Sequence, residues 1–270
     1  MLKDYRWIYF LLIIVVSWPL LSPIGLPVPI SKSTKMAFDT IERLPPGSLV
    51  AVSSVLAGGN WPDLGPPQTA IVQHLFKKKM KIVFIGIVDE APTILETTLL
   101  PRVNKYGAEY GVDYVNLGFI AGDPDAAEAA FATSLRKVIT VDFKGKPLDK
   151  LPIMQGINTL ADFKLAVHIG MAEDPVRQYY TPFKIPLIVG VYGMMGPHYV
   201  PYLEAGQLAG MVVGLSGAAE YEYLVGFVGE GLQGSDALSM THLLVAIFVI
   251  LGNISYIYST RTQERREKRT

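Results

Sequence analysis

The sequence predicts an α/β fold of the Rossmann-like or flavodoxin-like three-layer class, with a mostly parallel sheet, flanked by N- and C-terminal transmembrane helices. Three observations carry that prediction. Short Val- and Ile-rich runs alternate with helical patterns and lack tight hairpin turns between them, which implies parallel pairing through crossover helices. The runs are almost continuously apolar, as strands covered on both faces are. Each end of the chain carries a charge-free stretch long enough to cross a hydrocarbon core.

Residues 1–27 read as an N-terminal anchor. Trp7 to Leu26 contains no charge and is rich in Leu, Ile and Val. Trp7, Tyr9 and Trp18 suit a membrane interface, and Pro19, Pro23 and Pro27 end or kink the helix. Lys3 and Arg6 before a short apolar core also fit a cleaved signal peptide, but no A-x-A-like site follows, so retention is the preferred reading. Residues 28–47 read as a linker helix, with Met36, Phe38, Ile41 and Leu44 apolar and Pro45-Pro46-Gly47 as its stop.

Residues 48–235 form the α/β domain. Its strand candidates are Ser48–Leu56, Lys81–Val88, Asp113–Ile120, Leu165–Gly170 and Leu187–Tyr192. Its helix candidates are Gln68–Lys79, Thr93–Tyr110, Asp125–Val138, Pro175–Tyr180, His198–Leu215 and Ala218–Val228. Ile139–Phe143 reads as an edge strand or a loop. Lys77, Lys78, Lys79 and Lys81 complement the dipole at the end of the first of these helices. Residues 236–258 read as a second membrane helix, wholly apolar from Leu243 to Leu251, and 259–270 as a basic tail.

Charge is distributed unevenly along a chain of zero net charge. Lys3 and Arg6 against Asp4 give one end +1. Arg261, Arg265, Arg266, Lys268 and Arg269 against Glu264 and Glu267 give the other +3, which leaves −4 for the middle. Basic outer flanks place both termini in the cytoplasm and the domain outside, on the cytoplasmic membrane. The acidic middle argues against a nucleic-acid partner. There is no cysteine, which excludes disulfides and thiol chemistry. The four histidines, His74, His168, His198 and His242, include no pair at ligand spacing, and no metal or cofactor is expected.

Ligands of open parallel sheets bind beyond the carboxyl ends of the strands. Those positions hold Ser53, Ser54 and Asn60, then Asp89 and Glu90, then Asp123, then Glu173 and Asp174. An acidic rim favours a cation. The competing reading is helix capping, because Asp123-Pro124 and Asp174-Pro175 have the pattern of an N-cap followed by proline at the first helical position. His168 lies inside a strand pattern and reads as a core histidine; no spacing supports a Ser53, His168, Asp174 set, and no catalytic residue is expected.

Two glycine patterns stand out. Gly229-Glu230-Gly231-Leu232-Gln233-Gly234 matches G-x-G-x-x-G, but it precedes the last helix instead of following the first strand, so a hinge is the better reading than a nucleotide site. Gly206, Gly210, Gly214 and Gly217 would lie along one face if Glu204–Glu222 were helical. Glycine weakens a helix, so such a stripe implies close packing on the sheet, on another subunit or in a membrane.

Several strings together resemble an uncharacterised family of prokaryotic membrane-anchored proteins: Leu44-Pro45-Pro46-Gly47-Ser48, His74-Leu75-Phe76-Lys77, Tyr114-Val115-Asn116-Leu117-Gly118, Leu151-Pro152-Ile153-Met154-Gln155-Gly156, and Gly206-Gln207-Leu208-Ala209-Gly210 running to Gly217-Ala218-Ala219-Glu220-Tyr221-Glu222. The resemblance spans about Leu44 to Val225 and implies no activity. Where that family has an aspartate-bearing turn after the first strand, this chain has Ser53-Ser54-Val55-Leu56-Ala57. The leading expectation is a structural or assembly subunit, oligomeric with itself or other membrane proteins and held in the lipid bilayer. The alternative is an extracytoplasmic ligand-binding or sensory domain, and an enzyme comes third.

Overall fold

The five Val- and Ile-rich strand candidates all form strands, one further strand joins them, and Ile139–Phe143 is a loop with a single bridge from Val141 to Pro147. The computed structural model describes residues 6–170 and 174–267. In chain order the elements are α1 (Arg6–Leu21), α2 (Lys32–Glu42), β1 (Leu49–Ser54), α3 (Trp61–Lys77), β2 (Lys81–Gly86), α4 (Ala91–Ile94), α5 (Leu100–Val103), β3 (Tyr114–Phe119) and α6 (Pro124–Val138). There follow β4 (Leu165–Gly170), α7 (Thr181–Phe183), β5 (Leu187–Val191), α8 (Gly196–Glu204), β6 (Gly210–Val213), α9 (Gly214–Val225) and α10 (Glu230–Glu267).

The six strands make one all-parallel sheet in the order β3-β2-β1-β4-β5-β6. This is the order in which the chain winds outward from β1, returns, and winds the other way from β4. The reversal lies between β1 and β4, where Ser53 pairs with His168 and Ser54 with Ile169. Val50, Ile82, Val115, Leu165, Ile169, Leu187 and Ile188 are fully buried, so the sheet is the core. The outer edge of β3 is capped by the Val141–Pro147 turn, where the Phe143 N–H donates to the Asn116 carbonyl at 2.9 Å.

Three sequence expectations need correction. The helix expected over His198–Leu215 ends at Glu204, and β6 takes up residues 210–213. The four glycines therefore share no helical face. Gly206 turns the chain at φ +71°, Gly210 opens β6, and Gly214 enters α9 at φ +54°, with Gly217 inside it. Each of the last three permits a separate approach of backbone: a Cβ on Gly210 would lie 2.2 Å from the Ala37 nitrogen, one on Gly214 2.9 Å from the Gly193 nitrogen, and one on Gly217 3.1 Å from the Val212 carbonyl carbon. A membrane-embedded 205–219 segment is likewise ruled out by the strand.

The second correction concerns α2. It is part of the α/β unit and not a linker: Ala37 and Ile41 are fully buried, and Thr40 Oγ1 donates to the Ala209 carbonyl at 3.1 Å. The third concerns Thr93–Tyr110, where the helix is broken. A π-helical turn, Leu95–Leu99, separates α4 from α5, and a second one, Val176–Tyr180, precedes α7. Both widened turns close on the residue just before a proline, with Leu100 N–H to Leu95 O and Thr181 N–H to Val176 O. A proline ring in an ordinary turn would press on the carbonyl four residues back, and one extra residue relieves that clash.

The chain divides into two compact units, Val28–Leu232 and the two ends from Met1–Pro27 and Gln233–Thr270. In the terminal unit, α10 contains one stretch, Glu230–Tyr258, long and apolar enough to cross a membrane, the only such helix among the described residues. The N-terminal span is not supported at the same standard. α1 has 16 residues, about 24 Å at 1.5 Å per residue, against a core of about 30 Å. Pro23 and Pro27, with Gly25 at φ +74°, prevent the helix from running on. α1 runs antiparallel to α10. Trp7, Ile8, Phe10, Leu11 and Ile14 share a groove with Phe248, while the turn after α1 meets the start of α10.

Candidate functional site

The carboxyl ends of β1 and β4 are where a doubly wound sheet offers a crevice. Ser54 Oγ donates to Gln68 Oε1 of α3 at 2.7 Å, and accepts from the Leu56 N–H at 3.1 Å. Ser53 Oγ lies 3.0 Å from His168 Nδ1. The same ring nitrogen lies 2.8 Å from Glu128 Oε1 of α6. Ser53 is 1% exposed, and His168 and Glu128 are 0% exposed. A nucleophile relay needs serine on one imidazole nitrogen and acid on the other, facing an open site. Here Ser53 and Glu128 both lie against Nδ1, and all three side chains are buried in the core. Asp174 lies instead on Arg177, and the acid beside His168 Nδ1 is Glu128. The sequence signal for it was an acid on the buried stripe of α6, among Ala127, Phe131, Ala132 and Leu135.

The remaining rim residues are mostly committed. Asn60 accepts from the Ala57 N–H at 2.7 Å and donates to the Val55 carbonyl at 2.9 Å, which closes the loop after β1. The Gly58 N–H, at the place where a phosphate would approach, donates to Glu90 Oε2 at 2.8 Å. The first turn of α3 adds Asp63, and Pro62 withholds a donor. A phosphate there would meet two carboxylates. Asp123 caps α6 through the Ala126 N–H at 3.1 Å, and Asp174 accepts from the Arg177 N–H at 3.0 Å. Arg177 also bridges to Asp125 at 2.5 Å. Asp89 is exposed. Glu173 lies outside the described residues. Among the described residues no group of three or more His, Asp or Glu is placed to hold a metal ion.

Two polar centres lie on the helices around α9, and neither was anticipated. In the first, His74 of α3 is held at both nitrogens: Nδ1 lies 2.9 Å from the Tyr221 hydroxyl of α9, and Nε2 lies 2.9 Å from Glu42 Oε1 of α2. Phe38 stacks on the imidazole at 4.8 Å between centroids. Lys78 Nζ completes the chain at 3.0 Å from Glu42 Oε2. Burial pushes the His74 pKa down, against the pull of Glu42 upward. Burial pushes the Tyr221 hydroxyl well up, so it stays protonated and acts as a neutral partner.

The second centre uses the glycine motif. Glu222 of α9 is fully buried, and its carboxylate accepts the N–H groups of Gly229 at 3.1 Å, Gly231 at 3.0 Å and Leu232 at 2.8 Å. The G-x-G-x-x-G string thus does cradle an anion at a helix start, and the anion is the chain's own. Its glycines are needed for approach: a Cβ on Gly229 would lie 2.4 Å from Glu222 Oε1, and one on Gly231 2.7 Å from the Ala219 nitrogen. Glu230, between them, accepts from Trp61 Nε1 at 2.9 Å and pairs with Arg102, whose guanidinium lies 5.0 Å from the centre of the Trp61 ring.

Comparison with known protein families, with curated proteins and with solved structures returned no match.

Proposed function

We propose that this protein is a membrane-anchored structural or assembly subunit of an oligomeric membrane complex, built on a Rossmann-like three-layer domain and without catalytic chemistry of its own. One observation carries the reading. The positions at which such domains usually hold small molecules are spent on the fold itself: Glu90 occupies the Gly58 amide, Asn60 closes its own loop, Asp123 and Asp174 cap helices, and Glu222 fills the glycine cradle. In contrast, Leu243, Val245, Ile247, Val249, Ile250 and Leu251 of α10 lie uncovered, which suits lipid or a neighbouring membrane helix.

In this reading α10 crosses the cytoplasmic membrane, and α1, kept short by its prolines, crosses beside it in a locally thinned apolar layer. Both termini are cytoplasmic, and the α/β domain is outside. Alkaline carbonate washing of native membranes is expected to leave the full chain in the pellet, and release of intact chain would refute the anchor. Reporter fusions at the C-terminus and after Gly47 should report opposite sides. Native mass spectrometry from mild detergent is expected to show a defined assembly; a strictly monomeric particle would sink the assembly role.

A second reading, a tethered ligand-binding domain, draws on one observation. A cleft of about 230 Å³ at the amino ends of β2 and β3 is lined by Phe76, Lys79, Met80, Tyr106 and Asp113 among others. Its volume is below the usual range for small-molecule sites, roughly 300–1,000 Å³. A metabolite library that raises the melting temperature would favour this reading.

A further inference from the structure

The junction between α9 and α10 has the chemistry of a switch. Three backbone donors converge on one carboxylate that has no solvent contact, and two glycines hold the backbone close enough for them to do so. We propose that Glu222 and the amides of Gly229, Gly231 and Leu232 form a proton-operated latch that sets how tightly the first turn of α10 is held to α9.

The charged and titratable groups around the latch are otherwise engaged. Glu230, on the first turn of α10, adds repulsion and is itself paired with Arg102 of α5. Lys77 of α3 donates to the Val225 carbonyl at 2.7 Å. Glu220 of α9 accepts from the Ser31 N–H at 3.0 Å. His74, Glu42 and Lys78 form their own chain with Tyr221. Among the described residues no cation pairs with Glu222, so amide dipoles alone oppose the cost of burying its charge.

Burial outweighs those dipoles and raises the Glu222 pKa from its ordinary 4.5 to about 7. When the latch opens, the carboxylate meets water and returns to its ordinary value. The closed state therefore binds the proton more tightly than the open state, and by linkage a rise in pH favours opening. The latch is tightest below pH 4.5, loosens progressively up to about pH 7, and levels off above that. The inference does not depend on α10 crossing a membrane: release of the chain by carbonate would end the membrane reading and leave this one intact.

The test is amide hydrogen exchange on the full chain in detergent or nanodiscs from pH 4.5 to 8.5, corrected for intrinsic rates. The opening constant at Gly229, Gly231 and Leu232 is expected to rise on the order of 100-fold over that range, relative to a core amide such as Val52. In Glu222→Gln the same amides should show no such rise. Matching pH profiles for the two proteins would overturn the latch. Should Glu222→Gln fail to fold, Glu230→Gln serves. It keeps the bond to Trp61 but removes the neighbouring charge, so the midpoint should move to lower pH, and an unmoved midpoint would also overturn the proposal.

Discussion

Tyr221 and Glu222 are adjacent on α9, yet they anchor polar centres of opposite construction. The Tyr221 centre is made of side chains drawn from three helices, with Glu42 of α2 and His74 of α3 completing it. The Glu222 centre is made almost wholly of backbone, three amides around one carboxylate. The first keeps its buried base neutral and reaches solvent through Glu42, whose side chain is 42% exposed. The second holds an acid fully away from water. A side-chain network can lose one member and keep the others in place, whereas a backbone cradle exists only while the loop keeps its path.

That contrast can be tested from the largest effect down. Backbone-limited positions should fail first. Gly210→Ala puts a Cβ 2.2 Å from the Ala37 nitrogen, against backbone that cannot rotate aside. A loss of roughly 3 kcal/mol or more is expected in urea denaturation of the solubilised chain. Gly231→Ala, 2.7 Å from the Ala219 nitrogen, should cost about 2 kcal/mol or more, and it should also expose the Gly229 and Leu232 amides to exchange. Gly59→Ala, with nothing within 4 Å and no left-handed backbone, is the control and should change stability little. If all three behaved alike, close approach would not be the reason for the glycines.

The side-chain centre should respond more mildly. Tyr221→Phe keeps the ring but leaves His74 Nδ1 without its hydroxyl, for an expected loss of about 1–2 kcal/mol. Its pH response has the opposite sign to that of Glu222. The folded His74 ring titrates below its ordinary 6.5, so the unfolded chain takes up the proton first, and stability is lost as pH falls below 6.5. The stability difference between the wild type and His74→Gln should therefore shrink on going from pH 7 to pH 5. A constant difference would mean that the ring is not kept neutral by burial. Glu42→Gln is expected to have the smallest effect, roughly 0.5–1 kcal/mol, since water already reaches that group.

The strands were readable because their residues are chosen by burial on two faces, which leaves a local apolar signature. β6 was not, because Gly210-Met211-Val212-Val213 is four residues long and bounded by glycines whose spacing imitates a helix. The π-helical turns escaped for a different reason: Pro101 and Pro182 mark a disturbance, but whether the helix ends or widens depends on what packs around it. The caps at Asp123 and Asp174 were legible from the following prolines. Glu128 and Glu222 were not, since an acid in a helix reads as solvent-facing until its neighbours are known. The glycine motif was half legible. Its anion-cradling geometry was encoded in the spacing, but its ligand, seven residues upstream, was not.

Asp236 ties the turn after α1 to α10. Its carboxylate accepts the N–H groups of Ile24 at 2.8 Å, Gly25 at 2.9 Å and Leu26 at 3.2 Å, residues more than 200 positions away in the chain. The clasp brings the exit of α1 to the entrance of α10. In topological terms the α/β domain is an insertion into a two-helix hairpin, entering and leaving through a gap spanned by one side chain. Excising residues 28–232 and bridging the cut with a short flexible linker should therefore leave a hairpin whose helices still meet.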